Sequence, residues 1–505
     1  MQRKKTSADI FETGGESAGR VRAIIGWVGA PILFVGLLVL PLPSLSPEAH
    51  RLAAVMAAVV VLWVTEALPM PITALIGAAA CVVLRVAPAR DVFAPFADPL
   101  MFLFIGSFIL ARAITLHGLD KRLAYGVLAL RWVGASPARI LFAFGAVTAF
   151  ISAWISNTAT TAMMFAIGMA ILTYMSQSER AEGRRLNPRY ATALMLMTSF
   201  AASVGGLATP IGTPPNVIGL GFMRRLAGVE FPFFKWVMIG VPAVVILYLF
   251  LFAYLNRAAR AGASDLAGSA VMLAHQSELR GPWTTGEVST VFAFATTVVL
   301  WVVPGFIALA FGDASAEYRE ISARIPEGVA ALVGASLLFL LPGNQSGRAI
   351  GWAEAARIDW GIVLLYGGGF ALGVLSFKTG LAESVGRGLI GFLPPGKGIG
   401  LLIASTVMAV LVSEVTSNTA SANMVVPVVI SIAQAAGADP LEPALGATMG
   451  ASLGFMLPVS TPCNAIVYGS GYIPLGRMIR YGVVLDIAGV IVIVTLVRLL
   501  VPLIR

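Results

Sequence analysis

Apolar stretches of about 20 residues follow one another along this chain from residue 23 to residue 503, without any alternation of polar and apolar positions. A stretch of that length can cross a bilayer, and inside the hydrocarbon every backbone N–H and C=O must find a partner within the protein. Only helices and closed barrels meet that demand. A barrel strand would be about half as long and would alternate, so the spans are read as helices. Composition agrees: 58% of residues are hydrophobic and 12% charged, where a soluble domain carries about 25% charged residues. The chain is therefore expected to be an all-α polytopic membrane protein. Its formal net charge of +9 fits loops facing acidic lipid headgroups better than a nucleic-acid surface. Cys81 and Cys463 sit in apolar or motif contexts and build neither a disulfide framework nor a metal cluster.

Residues 1–22 are polar, carry Arg3, Lys4, Lys5, Arg20 and Arg22, and read as a disordered cytoplasmic tail. The apolar run at 23–42 has no convincing cleavage site and reads as a retained first helix, followed by a loop to residue 50. Further segments fall at 51–67, 72–88, 99–116, 137–178, 190–222, 235–255, 287–312, 326–342, 360–377, 397–434, 442–472 and 480–503. The polar connection at about 256–286 is too short for a domain. Two of the long segments carry the same polar string at their middle: "WISNTATT" (154–161) inside 137–178 and "VTSNTASA" (415–422) inside 397–434. Each has arms long enough for two full spans, or for a re-entrant hairpin whose polar tip stops at mid-membrane. Two others are broken by proline and glycine, "ATPIGTPPN" (208–216) within 190–222 and "LPVSTPCN" (457–464) within 442–472. Proline lacks the N–H and clashes with the preceding turn, so neither can be one continuous helix.

These features recur in order. "FIGSFILARAITLHGL" (104–119) matches "YGGGFALGVLSFKTGL" (366–381), the two Ser-Asn-Thr-Ala units follow, and "TPPN" and "TPCN" follow those. Five crossings separate the paired helices at 99–116 and 360–377, and a hairpin adds none or two. The odd number makes the halves an inverted repeat, repeat 1 over 51–256 and repeat 2 over 287–505, joined by a cytoplasmic linker at 257–286. The distribution of lysine and arginine places the N-terminus inside and, after about 11 crossings, the C-terminus outside. Inverted repeats with discontinuous helices are the architecture of secondary transporters, with a site near the midplane.

Ser, Asn and Thr are favoured N-cap residues, so each tip is expected to start a helix whose first N–H groups and positive dipole end point at a cavity. Such an end binds an anion without lysine or arginine, and two of them suit two carboxylates. Compensating cations are expected on hard oxygen ligands, which favours sodium. Ser152 and Ser413 lie one turn before Ser156 and Ser417, with Gly212 and Thr213 in one break and Ser460 and Thr461 in the other. Asn157 and Asn418 can offer oxygen to a cation and N–H to the anion. A bland alternative exists, since polar residues in membrane helices also act as packing contacts. It suits Arg112 and His117 near a span's end, and Trp154 as a wall beside the first tip. Glu66 reads as interfacial. Glu414 reads as structural or tuning, because only the second tip has it. The sequon at 344–346 falls on the cytoplasmic side and carries no meaning.

At "SNT" 156–158 and 417–419, followed by "PIGTPPN" and "PVSTPCN", the sequence resembles the divalent-anion/sodium symporter family, over about residues 50–500. The resemblance implies about 11 transmembrane helices with two re-entrant hairpins, a homodimer with a scaffold domain, and a transport domain that moves as an elevator. It implies substrate binding by Asn157, Thr158, Asn418 and Thr419, with Thr213, Thr461 and Pro462 beside them. One sodium site would use Ser152, Ser156, Asn157 and Gly212, and a second Ser413, Thr416, Asn418 and Ser460. Cys463 stands where the first break has Pro215 and is expected to touch no ligand. The function implied is sodium-coupled symport of C4-dicarboxylates (succinate, malate, fumarate) with two or more sodium ions and no organic cofactor. A sodium-independent exchanger and a citrate or sulfate carrier are the alternatives within this fold. An intramembrane enzyme would need a catalytic pair, and the chain has no "HExxH", no nucleophile-elbow serine and no paired intramembrane aspartates. A channel would differ by carrying single-channel current. The Ala/Gly/Arg-rich composition suggests a bacterial inner membrane.

Overall fold

The computed structural model describes residues 7–133, 136–181, 186–259, 267–312, 315–344, 347–390 and 398–504. Residues 1–6 of the tail, 260–266 of the linker, 345–346 of the sequon and Lys397 at the start of the second long segment lie outside them. Among the described residues the structure is helical, with one isolated bridge between Pro342 and Arg348.

In chain order the helices are α1 (Ser7–Val39), α2 (Pro47–Thr65), α3 (Met70–Val83), α4 (Ala89–Phe93), α5 (Pro99–His117), α6 (Leu119–Leu128), α7 (Pro137–Ser152), α8 (Asn157–Ala181), α9 (Pro188–Gly205), α10 (Pro214–Leu226), α11 (Phe233–Ala259) and α12 (Ala267–Glu278). They continue as α13 (Thr285–Phe311), α14 (Ala316–Arg324), α15 (Glu327–Leu340), α16 (Trp352–Ala355), α17 (Trp360–Lys378), α18 (Leu381–Ile390), α19 (Ile399–Val415), α20 (Asn418–Ala435), α21 (Leu441–Gly450), α22 (Pro462–Tyr468) and α23 (Leu475–Ile504). Eight described helices are long and apolar enough to cross a membrane, or nine if the bent pair α14–α15 counts as one span.

The expectation of a disordered tail over residues 1–22 needs correction, because α1 is already helical at Ser7. Its first proline is Pro31, and a helix begun in the apolar span extends at one hydrogen bond per residue fixed. The polar connection at 256–286 likewise contains α12. In α7 and α19 the apolar arms are 16 and 17 residues long, about 24–26 Å at the helical rise. That is shorter than the hydrocarbon core of about 30 Å.

The chain divides into two compact units. One comprises Met1–Asp98, Ile218–Val229 and Trp360–Ala451. Here α1 packs on α2, α3 lies against α17, and α20 is flanked by α18, α19 and α21. The glycine run of α17 permits the contact with α3, since a Cβ at Gly368 would lie 2.6 Å from that of Ala74. Asp98 is fully buried here and carries two arginines from the end of α10. Arg224 donates to Oδ1 at 2.5 Å and Arg225 to Oδ2 at 3.0 Å.

The other unit comprises Pro99–Val217, Glu230–Asp359 and Ser452–Arg505. In it α5 lies along α15, and α9 is enclosed by α7, α8, α11 and α22. Every residue of α9 from Tyr190 to Gly205 is buried. A helix buried on all sides has no polar face to spare, so its serines and threonines must find partners inside the protein.

Candidate functional site

The second unit contains the first Ser-Asn-Thr tip and both proline breaks. At Ser152 the helix α7 ends, and the chain turns through Ala153–Ile155 before α8 begins at Asn157. Ser156 caps α8, its Oγ accepting from the N–H of Ala159 at 3.3 Å. The N–H groups of Asn157 and Thr158 therefore open the helix with no carbonyl of the preceding turn to receive them. Thr158 is exposed on this first turn.

One end of the Asn157 side-chain amide is surrounded by oxygens: Ser152 Oγ at 2.7 Å, Ala202 O at 3.1 Å and Gly212 O at 3.2 Å. In the orientation observed it is Oδ1 that occupies this end, and Ser152 Oγ donates to it. Four oxygens then meet with one hydrogen among them, a crowding of acceptors that the turned amide relieves. With the amide turned, its NH2 would instead donate to all three. Ser152 and Gly212, two of the residues expected at the first sodium site, are thus brought to Asn157. Ala202 joins them, and Ser156 remains the cap.

The break between α9 and α10 is tightly folded. A Cβ on Gly206 would lie 2.5 Å from Asn157 Oδ1, and one on Gly212 would lie 2.5 Å from the Gly206 carbonyl. Asn216, fully buried, holds the loop from behind: its Nδ2 donates to Gly206 O and to Thr209 O, both at 2.9 Å. Thr213 is buried immediately before α10.

The break between α21 and α22 repeats this device. Asn464 Nδ2 donates to Gly454 O at 2.9 Å and to Leu457 O at 3.0 Å, the same two positions counted back from the asparagine. Its Oδ1 accepts from Ser199 Oγ at 2.5 Å. Thr461 caps α22 by accepting from the Asn464 N–H at 3.1 Å, Ser460 is buried beside it, and Pro462 opens the helix on its exposed side. Sequence reasoning quoted both asparagines within their motifs but assigned them no role. Their identical place in a duplicated string was the available signal.

Cys463 corrects an expectation. Its buried thiol neighbours the side chains of Thr161, Thr158 and Ser203, the hydroxyls of Thr161 and Ser203 making no hydrogen bond among the described residues, so it does lie beside a candidate ligand. The short α22 packs on α8 and turns the residue after Pro462 toward that arm. Trp154 packs edge-to-face on Phe294 at 5.1 Å and walls an apolar cavity of about 590 Å³ also lined by Phe150, Ile155 and Val291. Arg112 pairs with Glu354 at 2.5 Å, and His117 Nε2 lies 2.6 Å from the Ala349 carbonyl.

The first unit contains the second tip, and its local geometry matches the first. Ser417 caps α20 by accepting from Ala420 N–H at 3.2 Å, and Ser413 Oγ donates to Asn418 Oδ1 at 2.7 Å. Ser413 Oγ also lies 2.8 Å from the Ala451 carbonyl. Thr419 is half-buried in the first turn of α20. Thr416 Oγ1 donates back to Val412 O at 2.7 Å, leaving its lone pairs for any cation. Glu414 is buried on the last turn of α19. Among the described residues no three His, Cys, Asp or Glu side chains gather as a metal site.

Residues 24–504 match the family described as the sodium:sulfate symporter transmembrane region. The chain is 31% identical to the sodium-dependent dicarboxylate transporter SdcS of Staphylococcus saprophyticus over 490 residues, covering 95% of this chain and 92% of that protein. The protein of the same name from Staphylococcus aureus is 31% identical over 499 residues, 97% of this chain and 92% of its own. Two solved structures share the fold. The YdaH transporter of Alcanivorax borkumensis superposes with a TM-score of 0.51 at 12% identity, covering 80% of this chain and 85% of its own. Neisseria gonorrhoeae MtrF gives 0.51 at 14%, covering 84% and 85%. With a family match along nearly the whole chain and identity near a third to full-length relatives, this protein belongs to the divalent-anion/sodium symporter family of membrane transporters.

Proposed function

We propose that this protein is a secondary active transporter that carries C4-dicarboxylates such as succinate, malate and fumarate into the cell, coupled to two or more sodium ions. The relatives' name, sodium-dependent dicarboxylate transporter, supports substrate and coupling ion together. The observation that carries the sodium half is the gathering of Ser152 Oγ and the carbonyls of Ala202 and Gly212 within 3.2 Å of one end of the Asn157 amide. Ser152, Ser156, Asn157 and Gly212 are assigned to one sodium ion, and Ser413, Thr416, Asn418 and Ser460 to another. The substrate is assigned to Asn157, Thr158, Asn418 and Thr419, with Thr213, Thr461 and Pro462 beside them.

The physical logic is charge compensation. Each tip offers the N–H groups of a helix start, which bind one carboxylate through the peptide dipole rather than a fixed cation. A dianion held this way lacks counter-charge until sodium arrives, and Asn157 and Asn418 are shared between the two ligands. Binding of one therefore favours binding of the other.

Around this site we place two inverted repeats, 51–256 and 287–505, after the first helix and its loop at 23–50 and joined by a cytoplasmic linker at 257–286. The remaining assignments are about 11 crossings, re-entrant hairpins at 137–178 and 397–434, a homodimer in the lipid bilayer and elevator movement. The lengths of α7 and α19, below a full span, support re-entrance. The N-terminus is assigned to the cytoplasm and the C-terminus to the outside of a bacterial inner membrane.

Uptake of labelled succinate into proteoliposomes, with sodium replaced by potassium or choline, tests the proposal. Undiminished uptake without sodium sinks symport, and uptake that needs internal dicarboxylate establishes the exchanger. Thr158→Ala and Thr419→Ala are each expected to lower uptake by about tenfold or more with expression intact. Wild-type transport in both refutes the substrate site.

A further inference from the structure

Thr209 is 2% exposed, and its hydroxyl joins two parts of the first half. Thr209 Oγ1 donates to the carbonyl of Ala153, at the end of α7, at 2.5 Å, and accepts from the N–H of Gly212 at 3.1 Å. Gly212 is the residue whose carbonyl lies 3.2 Å from the Asn157 amide. Only glycine fits there, because a Cβ would lie 2.5 Å from the Gly206 carbonyl. Glycine is also the residue with the freest backbone, so a carbonyl offered by glycine points nowhere in particular unless something outside it holds the peptide. The Thr209 hydroxyl, together with the Thr209 carbonyl at 3.3 Å, holds the Gly212 N–H and so fixes the peptide that leads into that carbonyl, and it ties this peptide to the same turn that carries Ser152 and Asn157. Asn216 supports the brace by binding the Thr209 carbonyl at 2.9 Å.

The second break keeps the asparagine and lacks the brace. Asn464 donates to Leu457 O as Asn216 donates to Thr209 O, so Leu457 occupies the corresponding place, and it has no hydroxyl. The device is thus built into the first break and absent from its repeat.

We infer that Thr209 is a positioning residue for the first sodium ion: it aims the Gly212 carbonyl and thereby sets sodium affinity, without contacting substrate. The inference rests on the reading that Ser152, Ser156, Asn157 and Gly212 hold sodium. Two readouts serve, the thermal stabilisation of purified full-length protein by sodium chloride against choline chloride, and the sodium dependence of succinate uptake in proteoliposomes. Thr209→Val, equal in shape but without the hydroxyl, is expected to raise the sodium half-saturation by roughly 3–10-fold, the loss expected for one hydrogen bond. Succinate half-saturation at saturating sodium is expected to stay within about twofold, and Thr209→Ser is expected to restore wild-type sodium dependence.

Ser152→Ala separates the two layers of the argument. If Ser152→Ala weakens sodium binding while Thr209→Val leaves it unchanged, the positioning role is overturned and the sodium site stands. If Ser152→Ala leaves sodium binding unchanged, the site itself is wrong and the inference goes with it. Should Thr209→Val not assemble, Thr209→Cys and Thr209→Ser decide the question. Weakened sodium binding in the cysteine variant alone supports the role, and equal behaviour of the two overturns it.

Discussion

The adjacent glycines 205 and 206 make opposite predictions for the same substitution. Gly206 has φ −59° and ψ −19°, ordinary right-handed helical backbone that alanine adopts without strain. Its added Cβ would lie 2.5 Å from Asn157 Oδ1 and 3.1 Å from Nδ2. Ordinary contact begins near 3.4 Å, so the end of the Asn157 side chain must move by roughly 0.9 Å. That displacement takes the amide out of register with Ser152, Ala202 and Gly212. Overpacking of this kind costs about 1–3 kcal/mol, which corresponds to a rise in sodium half-saturation of roughly 5–150-fold. The backbone meanwhile gains about 0.4–1 kcal/mol, because alanine has less freedom to lose than glycine. Gly206→Ala is therefore expected to yield an assembled protein whose heat stability in choline chloride equals that of wild type or falls below it by up to about 2–3 kcal/mol, with little further stabilisation by sodium. At Gly205 the Cβ would lie 2.2 Å from the backbone carbonyl of Ala149, which cannot swing aside. Gly205→Ala is expected to separate α7 from α9 and to prevent assembly. Thermal-shift titration of detergent-purified variants with sodium chloride is the assay. A Gly206→Ala protein with wild-type sodium stabilisation would refute the placement of Asn157 at a cation site.

Two further predictions concern the scaffold around the candidate site. Asn464→Leu removes both donors that hold the Gly454 and Leu457 carbonyls and strands the Ser199 hydroxyl. A loss of about 2–4 kcal/mol is expected, read as a lowered melting temperature with or without sodium, and an unchanged melting temperature would exclude the clamp. Asp98→Asn leaves Arg224 and Arg225 without their shared carboxylate. The arginine heads are partly exposed, so the cost is expected near the low end for a broken buried pair, about 3 kcal/mol. Adding Arg224→Gln should recover part of it, and no recovery in the double variant would argue against a charge origin.

The class of protein was legible because its cause is local. A 20-residue apolar stretch in lipid satisfies its own backbone only as a helix, whatever surrounds it. The helix starts at Ser156 and Ser417 were legible for the same reason, since an N-cap side chain reaches only two or three residues ahead. The breaks followed from proline, and the pairs Ser152–Asn157 and Ser413–Asn418 lie within a turn and a half of each other.

What needed the tertiary structure is what spans sequence distance or depends on direction. The bond from Thr209 to Ala153 joins residues 56 apart, and that from Ser199 to Asn464 joins residues 265 apart. No local pattern marks either threonine or serine as different from the many others in α9 and its surroundings. Cys463 looked remote from any ligand because its neighbours Thr158 and Thr161 belong to another helix that only packing brings near. The sequence by itself determined that this chain is a bundle of membrane helices broken twice and capped twice. Which carbonyls of the unwound segments turn toward Asn157, and which side chains hold them there, only the tertiary structure decided. An unwound backbone has no internal hydrogen bonds to orient it and takes its direction from its neighbours.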